Sequence, residues 1–116
     1  MEKAERTAGG ELIMMQGDQY RLPIELKDAD GTFVTLEEVK DMEVFVGNTR
    51  KMLSKDEIEF EPLENVFYVF LSQKETFLML GEVSVQVRIL FLSGDVVGID
   101  LGKINFAQAT SKVVLK

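Results

Sequence analysis

The chain has 116 residues, 46% of them hydrophobic, which suits one domain with a core of its own. It contains neither Cys nor His, so it has no disulfide, no thiolate metal ligand, no cysteine nucleophile and no imidazole base. The net charge is -7 and its 13 basic residues are scattered, an arrangement that argues against nucleic acid, whose phosphates are met by clustered Lys and Arg.

Met1–Gly10 is polar, ends in two glycines and reads as a flexible lead-in, leaving residues 11–116 as the single folded domain. Glu11–Gln16 is a first short β-type run. Tyr20, Leu22, Ile24 and Leu26 then alternate with Arg21, Pro23, Glu25 and Lys27, the period of a half-buried strand. Pro23 cannot donate to a ladder, so the strand is expected to have an edge or a bulge there. Asp28-Ala29-Asp30-Gly31 reads as a tight turn. Thr35-Leu36-Glu37-Glu38 matches a capping box, which predicts one helical turn near residues 36–41.

Met42, Val44 and Val46 share one face of the next strand, and Gly47-Asn48-Thr49 breaks it. Ile58 and Phe60 alternate with Glu57, Glu59 and Glu61 until Pro62. Asn65–Leu71 is apolar on both faces, as a central or covered strand is. Val66–Leu71 is also the longest apolar run, far short of the ~20 residues that cross a bilayer, so no membrane association is expected. Ser72-Gln73-Lys74-Glu75 is a second capping box. Val83, Val85, Val87, Ile89 and Phe91 then alternate with polar residues, and Ser93-Gly94-Asp95 forms a hairpin turn. In the last strand Val97, Ile99 and Leu101 share one parity, whereas Ile104 and Phe106 take the other. A strand changes faces only through an extra residue, which predicts a β-bulge at Gly102-Lys103. About seven strands with one or two short helical turns predict an all-β, antiparallel, immunoglobulin-like sandwich.

The candidate sites are few. Asp28, Asp30, Gly31 and Glu37 echo part of a calcium loop, but Leu26 would fill its first ligand position and the flanks are strand-like. Glu57, Glu59 and Glu61 could pair carboxylates as a glycosidase does, yet nothing signals the raised pKa an acid catalyst needs. Ser72 lacks a His base and is better used as a helix cap. No catalytic residue, metal or cofactor is therefore expected. The apolar residues Phe67, Val69, Leu71, Leu78, Met79, Leu90 and Leu92 lie off the main stripes. They either fill the second layer of the sandwich or form an exposed interface.

The stretch Met15–Gly31, with its Gln16-Gly17-Asp18 start and Asp-Ala-Asp-Gly turn, is followed by Thr35-Leu36, the strand at 42–46, the crossover from Thr76 and the late hairpin at Gly94-Asp95. This order resembles the immunoglobulin-like N-terminal domain of the phage baseplate upper protein family, over roughly residues 11–112. In such folds a Tyr often stands two residues after the crossover glycine, a place held here by Val83. The resemblance implies a phage or prophage tail assembly module, located in the virion after assembly in the host cytoplasm. Its expected partners are other tail and baseplate proteins or further copies of the chain. The competing expectation is a sandwich that binds carbohydrate or calcium at its loops, with Tyr20, Tyr68 and the 28–31 turn as the candidates.

Overall fold

The computed structural model describes residues 6–8, 11–111 and 113–115. Among the described residues nine strands follow one another: β1 (Arg6–Ala8), β2 (Glu11–Met15), β3 (Tyr20–Ile24), β4 (Val39–Val46), β5 (Thr49–Met52), β6 (Ile58–Glu61), β7 (Val66–Leu71), β8 (Gly81–Phe91) and β9 (Val96–Ala107). One short helix, α1 (Gln73–Thr76), and 3-10 turns at Leu36–Glu38 and Leu53–Lys55 complete the described elements.

The strands form two sheets, β1-β2-β9-β8-β4-β5 and β3-β7-β6. With β3, β4, β5, β6, β7, β8 and β9 taken as strands B, C, C′, D, E, F and G, this is the order of a variable-type immunoglobulin sandwich. The two strands beyond the expected seven are β1 and β5. Gly47-Asn48 does not end the pairing. It makes a two-residue hairpin loop, with Gly47 at φ +61, and leads straight into β5. Of the expected lead-in, residues 6–8 pair with β2, while residues 1–5, 9 and 10 lie outside the described residues.

One pairing departs from the antiparallel expectation. β2 runs parallel to β9, with Ile13 opposite Asn105 and Met15 opposite Ala107. A parallel neighbour needs a crossover, and the chain supplies one by leaving β2 for the other sheet.

Alternation along β3, β4 and β8 turns Tyr20, Leu22, Ile24, Met42, Val44, Val46, Val85, Val87 and Ile89 into the space between the sheets, where all are buried. β7 is the middle strand of the small sheet, as its apolar faces predict, and β3 with Pro23 is an edge. The outer face of β7 is covered from within the chain. The Arg21 guanidinium lies 4.3 Å from the centroid of the Tyr68 ring and 5.3 Å from that of Phe70. The Tyr68 hydroxyl donates to Glu64 at 2.7 Å. That bond to a carboxylate, with partial burial, holds the phenol pKa above its ordinary value.

The predicted bulge is present. The β8–β9 register slips between Val85, opposite Gly102, and Gln86, opposite Asp100, so Leu101 is the extra residue. Gly102 has φ +94, and its N–H donates to Asp100 Oδ1 at 2.9 Å. Beyond the slip Ile104 and Phe106 point inward and are buried.

Candidate interaction surface

The seven candidate interface residues separate into two groups. Phe67, Val69 and Leu71 lie on β7, the middle strand of the small sheet, and Met79 follows α1. All four are buried in the core of the single chain, so they form no exposed surface. This corrects the interface reading for them: the small sheet has only three strands, and its middle strand must supply the apolar layer. Leu78 (85% exposed) and Leu92 (65%) do face solvent, but they precede and follow the 11-residue β8. At about 3.3 Å per residue they lie at opposite ends of the sandwich. Leu90, half-buried, sits on the outer face of the large sheet opposite Asp41 and Val96.

The other candidates are used within the fold. Asp28 Oδ1 accepts from the N–H groups of Asp30 (2.9 Å) and Thr32 (3.0 Å), which closes the turn where Gly31 has φ +81. Tyr20 and Tyr68 are both buried, so neither offers a stacking face to a sugar. Among the glutamates, Glu57 Oε1 accepts from Met52 N–H and Glu61 Oε1 from Leu63 N–H, while Glu59 is exposed. Ser72 caps α1, accepting from Glu75 N–H at 3.1 Å.

Gln16-Gly17-Asp18 has a structural task. The Gln16 side chain donates to Phe77 O (3.1 Å) and accepts from Ala109 N–H (3.2 Å), tying the α1 crossover to the segment after β9. Gly17 has φ +85, and a Cβ there would lie 2.6 Å from the Phe77 ring. Asp18 Oδ2 accepts from Met15 N–H, and Asp18 O accepts from the buried Thr76 hydroxyl at 2.8 Å. These bonds anchor the crossover, and Val83, two residues after Gly81, points into the core opposite Ile104.

A second tie was not legible in the sequence. Lys51 points inward from β5, is buried, and meets Glu75 of α1 at 2.7 Å. Burial pushes the Glu75 pKa up, but the bonds from Lys51 and from the Ser72 N–H outweigh it and hold the carboxyl below its ordinary value. A lysine in an irregular four-residue strand carries no periodic signal.

The outstanding surface feature is the outer edge of β9. β2 pairs only with Asn105–Ala107, so among the described residues no strand pairs with that edge over Val96–Gly102. Val97 and Ile99 lie opposite the buried Ile89 and Val87 and so face the small sheet. That sheet ends at β3, so it leaves Val97 open and covers Ile99 only in part, although Ile99 packs against the core. Val97 stays 42% exposed, Leu101 39%, and Ile99 half-buried. A hollow of about 210 Å³ opens beside them between Leu22, Pro23 and Ile24 on one side and Leu101 and Ile104 on the other. On the opposite face Arg88 lies across from Gly98, whose missing side chain leaves a hollow of about 360 Å³ bordered by Phe45, Gln86, Arg88 and Asp100. The β9 stripe was visible in the sequence as Val97, Ile99 and Leu101 on one parity, but parity alone does not show whether a stripe is covered.

This surface combines unpaired backbone donors and acceptors with an apolar stripe, the two properties that edge-strand recognition uses. In comparisons with known proteins, no family model, no curated protein and no solved structure matches the chain.

Proposed function

We propose that this protein is an assembly module of a phage or prophage tail or baseplate, that it acts through protein–protein contacts, and that it carries out no catalysis. The observation that supports contact-making is the β9 edge, seven residues long, apolar on one side and without a neighbouring strand among the described residues. Edge strands of stable monomers are usually blunted by lysine, proline or a covering loop. Here Val96–Gly102 carries two glycines, four apolar residues and a single charge, Asp100.

The phage setting is supported by the order of sequence signals from Gln16-Gly17-Asp18 onward, which resembles the baseplate upper protein family. In this chain those residues act as a brace, joining the α1 crossover to the strand ends. Such a brace suits a module that must hold its shape while carrying contacts on another edge.

The test is composition. Tail particles purified on a density gradient from the encoding phage or lysogen are expected to contain the chain at a fixed ratio to the other tail proteins, measured by quantitative mass spectrometry. Recovery of the chain only in the soluble fraction, with intact tails lacking it, would overturn the proposal.

A further inference from the structure

We infer that the β9 edge is occupied by a second copy of this chain, in an antiparallel, two-fold pairing centred on Ile99. The inference deepens the assembly reading and rests on it, since it names the partner of that surface.

An isologous contact requires one strand to be complementary to itself when reversed. Centred on Ile99, residues 97–101 satisfy this. Val97 of one copy faces Leu101 of the other, and the two Ile99 residues meet on the axis. The exposed apolar stripe is thereby covered by its own image. The regular register ends at Leu101, because beyond the bulge Gly102 lies opposite the buried Val85 and its N–H already donates to Asp100 Oδ1. Gly98 falls opposite Asp100, so no two charged residues of β9 face each other. The free edge also has the right length. The pairing uses Val97–Leu101 in both copies and stops at the bulge, before Asn105, where β2 takes over the same edge.

Charge complementarity favours the same register. Arg88 is exposed and lies directly across from Gly98 in the β8–β9 ladder. Gly98 presents no side chain, and the hollow above it is bordered by Arg88, by Asp100 and by Glu43, which lies across from Arg88 on β4 and is itself paired with Arg50 at 2.6 Å. In the two-fold pairing the second copy's Asp100 comes to lie beside Gly98, roughly two strand spacings, about 10 Å, from β8. Arg88 can then extend over the glycine to that carboxylate, and the axis makes the contact twice. A side chain at position 98 would obstruct it. An added Cβ at Gly98 meets nothing closer than Val87 O at 4.0 Å, so packing within one chain does not account for the glycine.

The test is light scattering on a size-exclusion column with the full chain over a concentration series. The expected result is a species of about twice 13.1 kDa that dissociates on dilution. Arg88→Asp is expected to weaken it at least about tenfold by placing two carboxylates together, and Ile99→Lys to abolish it. Arg88→Asp combined with Asp100→Arg is expected to restore the dimer, a rescue that a folding defect would not produce. Circular dichroism of each variant establishes that it is folded. A wild-type monomer at all concentrations overturns self-pairing, and the particle composition above would still decide the assembly reading separately. A dimer indifferent to Arg88→Asp and Ile99→Lys overturns this register.

Discussion

At the residue scale the strongest constraint is Gly17. Its φ of +85 disfavours any side chain, and the Phe77 ring already occupies the space a Cβ would fill. Gly31 shares the positive φ, at +81, but has open space around it. Gly17→Ala is therefore expected to cost roughly 2–4 kcal/mol, from backbone strain and overpacking together, and Gly31→Ala roughly 1–2 kcal/mol. Urea unfolding of the two variants checks the difference, and equal costs would remove Phe77 from the explanation. The sequence marks both glycines only as punctuation. That one of them is wedged by an aromatic ring sixty residues away depends on the crossover's position, which no local pattern encodes.

At the scale of elements, the Lys51–Glu75 contact joins β5 to α1. The Glu75 pKa is held below its ordinary value in the folded chain. The unfolded chain therefore binds more protons as acid is added, and the pair's contribution to stability is fully present above about pH 4.5. It is lost as the pH falls through the lower folded value. Glu75→Gln is expected to destabilise the protein by about 2 kcal/mol near pH 7, because it leaves a buried ammonium without its carboxylate. The difference from the wild type should shrink toward zero in strong acid. Thermal unfolding across the pH range measures this, and a difference unchanged from pH 7 to pH 2 would contradict it.

Most strands were legible at this scale because the period of two is explicit in β3, β4, β6 and β8. The bulge was legible because the apolar residues of β9 change parity after Leu101. β5 was not: Thr49–Met52 has no alternation, and its inward residue is a lysine. The parallel β2–β9 pairing was equally hidden, since β2 is a short apolar run that fits many neighbours. Deleting Leu101 tests the bulge directly. Removal of the extra residue would turn either Val97 and Ile99 or Ile104 and Phe106 to the wrong face, so a loss of several kcal/mol, enough to unfold the domain, is expected in denaturant melts. A deletion variant with near wild-type stability would show that the register slip is not required.

At the scale of the whole molecule, six strands pack against three. The mismatch decides which apolar residues are covered. Phe67, Val69 and Leu71, singled out in the sequence as off-stripe, fall in the middle of the small sheet and disappear into the core. Val97, Ile99 and Leu101, which share one parity in the sequence, lie at that sheet's edge and remain partly exposed. Sequence pattern reports which face a residue occupies, whereas cover depends on the width of the opposing sheet. The surface that carries the proposed contacts therefore became visible only in three dimensions.

Amide hydrogen exchange, read by mass spectrometry at high and low protein concentration, tests the central claim most directly. Protection of Val96–Gly102 is expected to rise with concentration, with the edges at β3 and β5 unaffected. Exchange in Val96–Gly102 that is independent of concentration, or protection gained at β5 instead, would contradict it.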